Sequence, residues 1–297
     1  MTTATVALEE SRLQRRGQVY VALAAVAWST AGVLQRQLTL DTATQVAARA
    51  VFAGAALLAY VAVVERGRVR DAFRSGGLAG VGVVVCVTIA SGAFIGALNH
   101  TSVARVLFIM AIAPVLAALL ARATLGEPIS RRSAMAMALA LAGVSVMLGA
   151  PGEGSLLGDG LAFVCALSFA AMIVITRWRA DVSMAPATCL SQVILVAVFL
   201  PFATPSEIDG ADVGWLAALG IGQIGIGFAL LTVGARLIPA VQVGLITLLE
   251  VVLGPLWVWL AVDEVPSTLT FVGGVIVIIA IVIQTSAAPP PPEPAPH

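Results

Sequence analysis

Charge is what this sequence has least of. Only 11% of its 297 residues are charged, against 60% hydrophobic residues and a mean hydropathy of +1.02. That leaves too little polar surface to cover a water-soluble particle of this size, so the solvent for most of the chain is lipid. Lysine is absent, all 16 basic residues being arginine, and histidine occurs only at His100 and His297. The Gly-rich stretches Gly76-Gly77 and Gly273-Gly274 therefore lack the Lys and Ser/Thr of a phosphate loop, and no soluble domain is available for ATP-driven pumping. Cys86, Cys165 and Cys189 are scattered inside apolar runs, without the spacing of a disulfide or metal site. No metal, cofactor or nucleic-acid partner is expected, and an enzyme would have little catalytic equipment. An outer-membrane barrel is excluded too, because segments of alternating polarity are missing.

What is present is a series of ten apolar runs of membrane-crossing length. They fall near 18–38, 44–64, 77–98, 103–122 and 131–150, then near 158–177, 184–203, 214–235, 239–261 and 266–285. The breaks between them carry turn or charge signals, such as Asn99-His100, Gly126-Glu127-Pro128 and Pro205 to Asp212. The first run is too long for a signal-peptide core and reads as an uncleaved helix. Residues 1–17 read as a cytoplasmic segment and the Pro-rich tail 287–297 as disordered. The fold class is all-α integral membrane, with ten helices.

Arginine placement sets the orientation. With the amino terminus in the cytoplasm, every arginine except Arg36, Arg49 and Arg105 falls on the cytoplasmic side, 13 of 16, and acidic residues such as Asp41, Glu153, Asp159 and Glu207 fall outside. By the positive-inside rule both termini are cytoplasmic.

The ten runs form two related sets of five. A shift of 137 lays Glu127-Pro128-Ile129-Ser130 on Glu264-Val265-Pro266-Ser267, and Val115-Leu116 on Val252-Leu253. A shift of 141 aligns Ala27-Trp28 with Ser168-Phe169 and Arg36 with Arg177. Five is odd, so the repeats, 18–150 and 158–285, cross the bilayer in opposite senses, as in many secondary carriers.

The chain resembles the EamA-type carriers of the drug/metabolite transporter superfamily. The likeness rests on Ala27-Trp28-Ser29, on Ala113-Pro114-Val115-Leu116 running into Leu125-Gly126-Glu127, on Leu167-Ser168-Phe169-Ala170, and on Leu248-Leu249-Glu250 running on to Glu264. Val251 stands where the family pattern has proline after Glu250, with Pro255 one turn later. The resemblance implies ten helices in a bacterial inner membrane, with spans one to four and six to nine around a central cavity and spans five and ten as scaffold. It implies the outward carriage of small metabolites, often amino acids.

Glu250, near the middle of span nine, is the leading site candidate, because an ionisable group there is costly unless it faces partners or a wet cavity. It would meet a substrate ammonium, take up a coupling proton, or bond a neighbouring helix. Helical periodicity puts Thr247, Gly254 and Trp257 on its face. Trp28, Ser91, Ser168 and Gln223 lie at similar depth, and Met110 offers an apolar surface. Arg49, His100 and Arg105, nearer the outer face, would form a gate or carboxylate-attracting vestibule, or else Arg105 snorkels and His100 is a solvated turn residue. Gly92, Gly96, Gly220, Gly227 and Gly234 read as close helix-packing positions. Two carrier functions follow: export of a small zwitterion, an amino acid with an apolar or aromatic side chain, or of another metabolite or lipophilic cation with Glu250 as counter-ion. A passive pore lacks its polar rings. A homodimer is left open.

Overall fold

The computed structural model describes residues 3–66, 68–149, 155–262 and 265–286. The tail 287–297 and the acidic residues Glu153, Asp263 and Glu264 lie outside the described residues. Ten helices are long and apolar enough to span a membrane: α1 (Glu9–Gln35), α2 (Thr42–Val64), α3 (Gly77–His100), α4 (Arg105–Leu125), α5 (Arg131–Leu148), α6 (Leu156–Trp178), α7 (Ala185–Phe202), α8 (Gly210–Gly234), α9 (Ala240–Ala261) and α10 (Thr268–Thr285). Among the described residues there is no strand. Helix already begins at Thr3, within the segment read as a cytoplasmic lead-in, and a short helix, Val69–Ser75, fills the Arg-rich loop after α2. His100 closes the last turn of α3 rather than lying in a loop.

Short polar residues start these helices by accepting the free backbone N–H groups of the first turn. Ser130 accepts from Ser133 N at 3.0 Å and Ser267, its counterpart in the second repeat, from Thr270 N at 3.2 Å. Asp209 and Asp212 form a capping box at α8. Asp41 caps α2 and also accepts from the Thr204 hydroxyl at 2.9 Å, tying the start of α2 to the loop after α7. Its hydrogen bonds, that of the Thr44 hydroxyl foremost, hold its carboxyl below the usual carboxylate range.

The main packed pairs of helices have mirrors under the repeat. α3–α6 corresponds to α8–α1, α4–α6 to α9–α1, and α2–α8 to α7–α3, while α2–α7, α4–α9 and α5–α10 map onto themselves. Apolar tails compete equally for apolar faces in lipid, so close backbone approach through small residues supplies much of the cohesion. At the α5–α10 crossing a side chain on Gly273 would lie 2.4 Å from the Gly143 carbonyl oxygen, which leaves room for glycine alone. On α8, Gly220 sits against the Arg49 carbonyl and Phe52 of α2, and Gly234 against Val21 of α1.

Four helices are irregular. α4 breaks at Ala111–Ile112 and α9 at Leu248, and these are the same place under the shift of 137. In α4 the cause is Pro114, which has no N–H and crowds the carbonyl four residues earlier. α9 breaks without a proline at that place, where Gly244 lies against Pro114; a Cβ there would sit 2.8 Å from the proline Cα. α1 breaks at Thr30, where the hydroxyls of Ser29 and Thr30 take the carbonyls of Val26 and Ala27. In α8, Ala218–Ile226 is a π-helix, a wide turn that often marks functional positions. The mirror partners of these last two, α6 and α3, run as regular helix.

Candidate substrate site

The breaks in α4 and α9 divide a closed half of the bundle from an open one. From Ala240 to Leu248 every residue of α9 is buried; from Leu249 to Trp259 none is. α4 shows the same division in the opposite chain direction. Ala113, Pro114, Ala117, Ala118 and Ala121 are buried, whereas Leu107 to Met110 are all partly accessible. Both buried halves lie toward the end of the molecule that carries the Arg-rich loops, and both accessible halves toward the opposite, acidic end. Accessible surface on these two helices is thus concentrated toward the acidic end, and close packing toward the other.

Glu250 stands just past the break, on the open side. It is partly accessible, and among the described residues its carboxylate has no hydrogen-bond or ion-pair partner. The buried Cys165 thiol of α6 is close enough to feel its charge, and itself lies 3.9 Å from the Met110 sulfur of α4. An unpaired carboxylate in hydrocarbon costs several kcal/mol. Contact with water or a polar ligand relieves that cost, and the accessible half of the bundle allows both.

Aromatic rings continue the site along α1, α6 and α8. Trp28 is 8% exposed and packs edge-on against Phe169 (centroids 5.8 Å apart) and Phe228 (5.5 Å). Its indole lies on the bare backbone of Gly227, where a Cβ would come within 2.2 Å of the ring nitrogen. The Trp257 indole N–H donates to the Ser29 hydroxyl at 2.8 Å, joining the break in α1 to the open half of α9, two turns beyond Glu250. Phe169 follows Cys165 by one turn of α6, so the carboxylate and the rings belong to one neighbourhood.

The other residues singled out from the sequence divide by place. Ser91 and Ser168 are partly accessible and make no hydrogen bond among the described residues. Gln223 is 92% buried in the π segment, and its side-chain oxygen has no hydrogen-bond partner among the described residues. Thr247 is separated from Glu250 by the break: it is buried on the closed side, and its hydroxyl donates to Gly244 O of its own helix. Arg49, on α2, is partly accessible and makes no hydrogen bond or ion pair among the described residues, with Glu250 or any other group. Arg105 forms a two-bond ion pair with Asp159, both contacts 2.6 Å. His100 is exposed, and its carbonyl accepts from Ser155.

Sequence reasoning passed over Ser29, Cys165 and Phe228 as site neighbours. Ser29 was in view as the third residue of Ala27-Trp28-Ser29, but its bond to a tryptophan 228 residues away leaves no local trace. Gly227 was visible as a packing glycine, without the ring it receives.

The sequence matches the model of the EamA-like transporter family twice, over residues 15–149 and 156–286. No curated protein matches it. One protein of known crystal structure superposes with a TM-score of 0.80 at 21% identity, covering 92% of this chain and 97% of that one, which establishes a shared fold.

Proposed function

Because the chain belongs to the EamA-like transporter family, and is thus a membrane transporter of the drug/metabolite type, we propose that it is a secondary carrier exporting small metabolites, foremost amino acids with apolar or aromatic side chains. It does so by alternating access around the cavity at Glu250. The observation that carries this is the unpartnered, partly accessible carboxylate of Glu250 beside an aromatic cluster. A carboxylate suits an ammonium group, and the rings of Trp28, Phe169 and Phe228 suit an apolar side chain and favour a cation near their faces. Arg49 and Gln223 add a guanidinium and an amide oxygen without partners among the described residues, groups that receive the polar remainder of a zwitterion as the cavity closes on it.

With the Arg-rich loops in the cytoplasm, the protein sits in a bacterial inner membrane with both termini inside, and the open half of the cavity faces outward. Glu250 is the one acidic side chain deep within the described spans, and so the place for a coupling proton if export is driven by a proton gradient.

The test is counterflow in proteoliposomes, preloaded in turn with phenylalanine, leucine, glutamate and tetraphenylphosphonium and supplied outside with the labelled compound, with and without a pH gradient. Saturable, trans-stimulated uptake of phenylalanine or leucine is expected. One observation favours a second function: Arg49 and Glu250 do not reach each other, so a lipophilic cation that needs only Glu250 fits the cavity as it stands. Exchange of the phosphonium alone would establish that function and refute amino-acid export.

A further inference from the structure

The closed end is crossed by a connected polar network. Glu127, in the loop between α4 and α5, uses both carboxylate oxygens. One accepts from Arg177 Nε at the end of α6 (3.0 Å), the other from the backbone N–H of Ala240 in the first turn of α9 (3.2 Å). Arg177 also donates to the Arg236 carbonyl in the loop between α8 and α9 (2.7 Å), and Arg236 Nε donates to Ala180 O beyond α6. Four bonds thus join the ends of α4, α6, α8 and α9, tying one helix of the first repeat to three of the second, across the mouth through which an inward-opening cavity would empty.

We propose that Glu127, Arg177 and Arg236 form a latch that holds the Arg-rich end shut, and that its release is the step exposing the cavity to that side. This rests on the alternating-access function above. Three observations support it. The latch closes over the buried halves of α4 and α9, where Ala117 and Ala121 are fully enclosed and Gly244 meets Pro114. The mirror segment of α9, Glu250 to Val258, is partly accessible throughout. The groups are also reversible in kind: side chains 29% and 22% exposed at Arg177 and Glu127 rehydrate on parting at little cost, unlike a fully buried pair. Gly126, whose φ of +69° needs a residue without Cβ, turns the chain so that Glu127 faces α6 and α9 rather than extending α4. The helix breaks at Ala111–Ile112 and Leu248 supply the points about which the released ends swing.

The test uses single cysteines in a background lacking the three native ones, labelled by a membrane-impermeant maleimide from one side at a time. It needs no substrate, so an error in the assigned substrate leaves it untouched. In the parent, Gly254→Cys should react from the acidic side, and Ala117→Cys, its mirror position, from neither side. Glu127→Ala and Arg177→Ala should each raise labelling of Ala117→Cys from the Arg-rich side by about tenfold, and the double variant no further than either alone, since one latch is broken in each case. Glu127→Gln, which keeps the shape and one of the two acceptor oxygens but loses the charge, should give a smaller rise and decides the matter if the alanine variants do not fold. Unchanged protection of Ala117→Cys in the folded variants, or fully additive effects, would overturn the latch.

Discussion

Transport by Glu250→Gln should fall about ten- to a hundredfold while the protein folds as before. The carboxylate has no partner among the described residues, so its neutralisation leaves no other group unsatisfied. Removing an unpaired charge from the bundle interior should leave the thermal midpoint in detergent unchanged or slightly raised. What is lost is the bond to the substrate ammonium. Hydrogen bonds to charged groups are worth roughly 1.5–3 kcal/mol, which corresponds to that range of affinity. The loss should appear in KM for phenylalanine or leucine counterflow, and any dependence on a pH gradient should vanish with it. If rate, KM and pH response all match the parent, Glu250 is a packing residue and the site lies elsewhere.

Gly227→Leu should be the most damaging of the glycine substitutions near the site. Any side chain there begins 2.2 Å from the Trp28 ring nitrogen and 2.7 Å from its Cδ1, so the indole must leave its place between Phe169 and Phe228. Overpacking of this kind costs about 1–3 kcal/mol, which lowers the thermal midpoint by several degrees. Trp28 adjoins Ser29, and Ser29 holds Trp257, so the displacement passes to the open half of α9 and transport should fall to background. Gly222→Ala, five residues earlier in a place where nothing lies within 4 Å, should alter neither property. Thermal midpoints, tryptophan emission and counterflow on the two variants check this. Normal transport by Gly227→Leu would show that the ring cluster is dispensable.

The spans were legible in the sequence because the bilayer imposes a length: about twenty apolar residues per crossing, bounded by Arg, Gly, Pro or Asp. The repeat was legible because both copies keep the Glu-to-Ser stretch after α4 and α9, and Ser130 and Ser267 then cap corresponding helices. The irregularities were not. Pro114 hints at a break in α4, but α9 breaks at the matching place with Val251 in proline's position, and the π segment of α8 has no composition that separates it from ordinary helix. The Arg105–Asp159 and Glu127–Arg177 pairs join residues 54 and 50 positions apart, which only the packing of α6 against α4 brings together. The placement of Thr247 on the face of Glu250 assumed an unbroken α9, and the turn at Leu248 separates them.

The proposed cavity and the proposed alternation between its ends both depend on opposed insertion of the two repeats. The direct measurement is sided labelling of Ser130→Cys and Ser267→Cys, two exposed cap positions related by the shift of 137. An impermeant maleimide should reach Ser130→Cys only from the cytoplasm and Ser267→Cys only from the opposite compartment. Labelling of both from one side would mean that the repeats are inserted in parallel, and neither a mirrored cavity nor a carrier working through it would survive.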